Sequence, residues 1–159
     1  MKKNASIICV GKIKTPHWQS AAQDYLQRLA RSWQIKVVIV REARDHDPEE
    51  RNRREGSFIL EALAQAEMSA ALAVALDEGG EMCSSVGFAE QLRLCWEKEN
   101  RMPCFIIGGA YGLCPAVRDK ARRVLSLGPM TFPHELAQVL LLEQLYRADA
   151  ILRGAPYHH

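Results

Sequence analysis

Glu143 and Arg147 stand four residues apart in the run LLLEQLYRA, which is otherwise mostly apolar. Four residues is just over one helical turn, so acid and base share a face, in the acid-first order that favours an ion pair. Exposed to water, such a pair contributes a few tenths of a kcal/mol, roughly, and means little. Set in an apolar stripe with Leu136, Val139 and Leu140, it incurs a desolvation cost, which points to a second purpose, an arginine anchored for a ligand. A few residues on, the chain reads RGAPYHH. A nucleic-acid base can stack on Tyr157, and Arg153 or protonated His158 and His159 can meet phosphates, although chain ends are commonly frayed and silent.

Two other segments combine unusual backbone freedom with apolar side chains. Gly108, Gly109 and Gly112 form a GGxxG pattern after the apolar run CFII. Such residues let a backbone take positive φ and approach a bound molecule, and a tight strand-to-helix turn explains them equally well. The spacing is not the GxGxxG of a dinucleotide fold, and no GxxxxGK[ST] phosphate loop occurs, which disfavours a nicotinamide dehydrogenase. The second segment, Leu127 to Phe132, places Gly128-Pro129 after a strand and then Met130, Thr131 and Phe132. Its apolar side chains and free backbone groups suit a flat ring such as adenine better than a phosphate, the ordinary alternative being a strand-to-helix loop with a buried Met and Phe.

Both segments need a scaffold that brings loops together. Apolar runs at 6–10, 35–40, 72–76, 104–107 and 124–127 read as strands, and amphipathic stretches at 18–32, 48–68, 86–99, 115–123 and 134–152 as helices. Near-continuous apolar strands alternating with helices imply an α/β fold, a mostly parallel sheet with helices on both faces. In such sheets ligands sit beyond the carboxyl ends of the strands. That draws attention to Asp77-Glu78-Gly79-Gly80, to Gly108–Gly112 and to 128–134, the last of which includes His134 at the head of the final helix. That helix is apolar nearly all round, with Leu141, Leu142, Leu145 and Leu152 opposite the Glu143 stripe, so its second face suits a subunit interface.

Composition sets the outer limits. The chain has 159 residues, 48% hydrophobic and 25% charged, which fits one domain spanning 1–159 with a single sizeable core. A net charge of +2 does not announce a nucleic-acid partner. Its distribution says more: Arg41, Arg44, Arg51, Arg53 and Arg54 cluster, as do Arg118, Lys120, Arg122 and Arg123, giving either solvated faces diluted by acids or a phosphate-attracting surface. Five scattered cysteines without CxxC spacing argue for buried reduced thiols, no metal and a cytoplasmic location. The apolar run after Met1-Lys2-Lys3 is too short for a signal peptide, and no stretch reaches membrane-span length.

Taken together, GGAYG after a strand, LGPMTFPHEL, LLLEQLYRA and the closing PYHH resemble the bacterial large-subunit rRNA pseudouridine N3-methyltransferases of the RlmH type, within the SPOUT superfamily. The opening IICVGKIK-x-PHW and the LDEGGE segment extend the resemblance over essentially the whole chain. It implies a C-terminal trefoil knot, a homodimer with an active site formed across its interface, and S-adenosylmethionine bound by the knotted loops. The family's cofactor positions fall here on Leu76, Gly108, Leu127, Gly128, Pro129, Met130, Thr131 and Phe132. The implied reaction is methyl transfer to N3 of a pseudouridine in 23S rRNA of assembled ribosomes. Glu143, Arg147, Tyr157 and His158 are the expected catalytic constellation, with the tail supplied partly by the other subunit, and His134 is a secondary candidate. Two residues depart from the family pattern: Gln138 stands where an arginine is common, and His159 where Lys or Arg is usual, which bears on RNA electrostatics. The rival expectations are a SPOUT enzyme acting on another RNA and a ribosome-binding factor that has kept the fold without catalysis.

Overall fold

The computed structural model describes residues 2–158, and side chains throughout that range except those of residues 66, 67 and 158. β-Branched and other apolar runs form strands β1 (Lys3–Val10), β2 (Trp33–Val40), β3 (Leu72–Met82), β4 (Pro103–Ile107) and β5 (Arg123–Ser126). They make one sheet in the order β2-β1-β4-β3-β5, and every ladder in it is parallel. Parallel neighbours require crossovers, and helices α1 (Pro16–Leu29), α2 (Pro48–Ala64), α3 (Ala66–Ser69), α4 (Ser85–Glu97), α5 (Pro115–Lys120) and α6 (His134–Arg153) lie in the connections or follow the last strand.

Strand alternation sends side chains to two cores. Ala5, Ile7 and Cys9 of β1 join α1, α4 and α6 on one face, while Ile8 and Val10 join α2 and α5 on the other. The two-faced α/β architecture read from the sequence is therefore the one observed. Helix starts follow local chemistry: Pro16, Pro48 and Pro115 occupy first-turn positions, where their missing N–H is harmless. Asp47 and Ser84 cap α2 and α4 by accepting from the amides of Glu50 and Gly87.

Several boundaries differ from expectation: β1 and β2 begin earlier, at Lys3 and Trp33, and α1 covers Pro16–Leu29. β3 does not end at Leu76. After a register shift between Leu76 and Glu81 it pairs with β5 again through Glu81 and Met82, so Asp77–Gly80 is a bulged excursion within a strand and not a turn after one. Hydrophobic periodicity is blind to this, because the excursion is polar and only Glu81 and the exposed Met82 follow it. The helix read over 48–68 is broken at Gln65, whose extended backbone (ψ 146°) separates α2 from α3. The last strand is also one residue earlier than its apolar run indicates.

α6 buries Leu141, Leu142, Leu145 and Ala148 completely, while Leu136 and Leu140 on its other side stay half-exposed. Its buried Asp149 accepts hydrogen bonds from Trp33 Nε1 (2.9 Å), Ser32 Oγ (2.9 Å) and Arg153 Nε (2.8 Å), tying the helix end to the start of β2. Among the described residues no helix is long and apolar enough to cross a membrane.

Candidate active site

The carboxyl ends of β4 and β5 and the bulge of β3 border a cleft of about 460 Å³. Leu76 and Ile107 form its floor, the Gly108–Gly112 turn one wall, and Leu127, Gly128, Met130, Thr131 and Phe132 another; His134 and Ala137 at the head of α6 close the end. Of the residues assigned to a cofactor, all line the cleft except Pro129, which is exposed at the loop tip. Asp77, Glu78 and Arg118 add charge to walls of mixed polarity, apolar at Leu76, Ile107, Leu113, Leu127, Met130 and Phe132.

The glycine turn is built for close approach. A Cβ on Gly108 would sit 2.5 Å from the carbonyl oxygen of Gly112, closer than real side chains come to backbone, and Gly112 itself has φ +74°. The turn is closed by the Gly112 amide donating to Gly109 O at 3.1 Å. From α2, the Asn52 side-chain amide donates to both Tyr111 O (2.9 Å) and Gly112 O (3.0 Å), and Arg51 lies over the Tyr111 ring. Behind the turn, the buried carboxylate of Glu55 would meet a Cβ on Gly109 at 2.7 Å.

The opposite wall is fixed by the bulge in β3. Thr131 Oγ1 donates to Glu78 Oε2 at 2.6 Å. The buried Ser126 hydroxyl lies 3.1 Å from Glu78 O and 2.8 Å from Gly128 O, and accepts from the Gly128 amide. Arg118 of α5 donates to Asp77 at 3.0 Å, and Asp77 also accepts the Gly79 amide. The excursion of β3 thus presents two carboxylates to the cleft. Such a lining suits an elongated ligand with a flat apolar part and positive charge, and it is ill matched to a phosphate.

The other candidate residues also come together, elsewhere. Arg147 donates to Glu143 Oε1 from Nε (3.0 Å) and Nη2 (2.5 Å), and to Tyr157 O at 3.3 Å. Its guanidinium lies 5.0 Å from the centre of the Tyr157 ring, which packs edge-on against Tyr146. The final 3-10 turn (Pro156–His158) is in this way folded onto α6. Burial, with Tyr25 nearby, pushes the Tyr157 phenol up to about 12, and the hydrogen bond to Glu143 moves Arg147 further upward. The first stays a neutral donor and the second a cation. The side chain of His158 and all of His159 lie outside the described residues. Glu143 is nine positions along α6 from His134, about 13 Å at the helical rise, so one subunit does not bring the Glu143–Arg147–Tyr157 cluster into its own cleft.

Several residues that shape the site carry no local sequence signal. Asn52, Glu55 and Glu135 act on segments far from them in sequence; Glu135 accepts the amides of Lys14 (2.8 Å) and Thr15 (3.3 Å). Gln138, one of the two departures from the pattern that the resemblance implies, is buried within the subunit and does not reach its solvated surface.

A five-stranded parallel α/β domain with a ligand cleft at its carboxyl edge matches the family model described as "Predicted SPOUT methyltransferase" over residues 3–158, and the chain belongs to that methyltransferase family. Within it, the chain is 51% identical over 158 residues to a protein of Oleidesulfovibrio alaskensis named Ribosomal RNA large subunit methyltransferase H, with 99% of each chain covered. A protein of the same name from Nitratidesulfovibrio vulgaris (strain DSM 19637 / Miyazaki F) is 48% identical over 161 residues, again with 99% of each covered. Solved structures share the fold at low identity. A probable methyltransferase from Bordetella pertussis superposes with TM-score 0.55 at 18% identity, over 92% of this chain and 94% of the other. The SpoU methyltransferase AviRb from Streptomyces viridochromogenes, solved with AdoMet, superposes with TM-score 0.51 at 12% identity, over 94% of this chain and 59% of that one.

Proposed function

We propose that the protein transfers the methyl group of S-adenosylmethionine to N3 of a pseudouridine in 23S rRNA of the large ribosomal subunit, acting in the cytoplasm on assembled ribosomes as a homodimer with a threaded C-terminal region. The observation that carries this reading is the convergence of the Leu76 floor, the Cβ-free Gly108 turn and the Leu127–Phe132 loop on one cleft. The relatives' name supports the substrate class.

The residues present fit the cofactor. Leu76, Leu127 and Phe132 offer apolar surface to a purine, the glycine turn permits backbone contact, and the net negative balance of Asp77 and Glu78 against Arg118, which pairs with Asp77, favours a cationic donor over its neutral product. When bound, S-adenosylmethionine supplies a methyl group on an already activated sulfur, so the protein's task is chiefly alignment and exclusion of water.

N3 must also lose its proton. In this reading Arg147 stabilises the deprotonated ring, Tyr157 stacks on or donates to it, and the Glu143 carboxylate is the proton acceptor among the described side chains. The separation of that cluster from the cleft along α6 supports delivery of the tail by the partner subunit, across the half-exposed Leu136 and Leu140 face. His134, which lines the cleft, orients the bound molecules.

The deciding experiment is methyl transfer from labelled cofactor to undermethylated ribosomes, with the modified nucleotide mapped. A label on any other nucleotide overturns the substrate assignment. Mixing subunits truncated after Pro156 with subunits carrying Gly108→Ala should restore activity that neither homodimer has; no restoration refutes the shared site.

A further inference from the structure

Two buried carboxylates fasten two basic loops to the walls of the cleft. Glu135, beside the cleft residue His134, accepts the amides of Lys14 and Thr15 and so pins the loop that follows β1. Glu55, against the Gly109 wall, accepts the Ala43 amide at 3.2 Å and pins the loop that follows β2. The two loops are joined to each other by the Gly11 amide donating to Val40 O at 2.8 Å. They carry Lys12, Lys14, Arg41 and Arg44, all exposed and all at the sheet edge onto which the cleft opens.

Charge pairing separates these cations from the rest of the basic clusters. Arg51, Arg53 and Arg54 are engaged by Glu55, Glu50 and Asp45, and Arg118 by Asp77. Lys14 makes only a loose contact with Glu42 (3.6 Å) and keeps 73% of its side-chain surface exposed. Among the described residues Lys12, Arg41 and Arg44 have no carboxylate partner; the Arg41 guanidinium lies over the Phe58 ring at 4.3 Å and the residue stays exposed. The acids of the same loop are turned elsewhere, Asp45 to Arg54, Asp47 to the amide of Glu50 at the head of α2 and Glu42 to Lys14, so these cations face outward on short loops joined to the cleft, as a phosphodiester backbone requires.

We propose that the loops after β1 and β2 form a phosphate-binding shelf that grips the rRNA backbone flanking the target nucleotide, with Glu55 and Glu135 fixing its position relative to the methyl donor. This rests on the reading of the protein as an rRNA methyltransferase. The shelf positions RNA and takes no part in the chemistry, so its loss acts on substrate capture alone.

The test uses the full chain with Lys12→Gln, Lys14→Gln, Arg41→Gln and Arg44→Gln combined. A control replaces Arg31 and Arg101 with Gln; these are exposed and precede β2 and β4 at the opposite sheet edge. Ribosome methylation is measured between 50 and 200 mM salt, S-adenosylmethionine binding by calorimetry, and folding by thermal melting. For the shelf variant the slope of log affinity against log salt should shallow by about three, roughly 0.7 for each of the four lost cations, so the rise in KM for ribosomes should be largest at 50 mM salt and about fiftyfold smaller at 200 mM. Cofactor affinity, melting temperature and kcat should match wild type, and the control should keep the wild-type slope. An unchanged slope in the shelf variant, or an equal loss in the control, overturns the shelf. Failure of the wild-type protein to bind cofactor or methylate ribosomes would instead overturn the functional reading beneath it.

Discussion

Gly108→Ala isolates the demand that the cleft makes on its glycine turn. The added methyl would lie 2.5 Å from the Gly112 carbonyl oxygen and 2.6 Å from its carbon. Carbon–oxygen contacts ordinarily begin at about 3.3 Å, so the overlap is roughly 0.8 Å and the obstacle is backbone, which cannot rotate away. Relief requires moving the Gly109–Gly112 turn, which breaks its closing hydrogen bond and the two from Asn52. At about 1 kcal/mol for each of three hydrogen bonds, the displaced wall costs roughly 3 kcal/mol, which is a factor of about 100 in cofactor affinity if binding must restore the turn. Calorimetric titration with S-adenosylmethionine reads this directly. Asn52→Ala, which removes two of the three bonds from a half-buried position and adds no clash, should weaken binding by about thirtyfold at most. A Gly108→Ala protein that melts like wild type and binds within twofold of it would refute the turn as part of the cofactor wall.

Asp149→Asn should lower stability by about 2 kcal/mol in denaturant unfolding, because a neutral amide has one acceptor oxygen for the partners now shared by two. Burial by itself would raise Asp149, yet the hydrogen bonds from Trp33, Arg153 and Ser32 outweigh it and hold the acid below its usual range. A change within experimental error would show that those bonds contribute nothing net. Glu135 is depressed first by the Lys14 amide and then by Thr15. A depressed folded pKa means stability that is present above the ordinary value of 4.5 and is lost as pH falls through the folded one. The melting-temperature gap between wild type and Glu135→Gln should therefore be full at pH 7 and narrow in acid; a gap that does not vary with pH would exclude the linkage.

The cleft was legible where its walls are contiguous in sequence. The turns after β4 and β5 stand out because glycine and proline interrupt apolar runs, and the sheet's carboxyl edge gathers them. Asp77 and Glu78 stand out in the sequence as residues following a strand, whereas β3 continues past them. What lay hidden is held by contacts between distant residues: Asn52 to Tyr111, Glu55 to Ala43 and the Gly109 wall, Glu135 to Lys14. A glutamate at a helix head reads as ordinary first-turn chemistry, and nothing local reveals that it closes against a loop 121 positions earlier. Glu143, Arg147 and Tyr157 do meet, yet along α6 and not in the cleft. Sequence spacing finds partners on one helix and is silent on the distance to a pocket in another part of the fold.

The placing of β4 between β1 and β3 also governs how the molecule is made. Ser6 of β1 must wait for Cys104 before that side of the strand is covered. Until then a nascent chain presents an open, apolar parallel edge, the kind of surface that recruits chaperones or other chains. Long-range pairings of this type close slowly. The cleft needs β5 and the head of α6 as well, so it forms only once the chain has been made through Ala137, long after the first two strands can zip together.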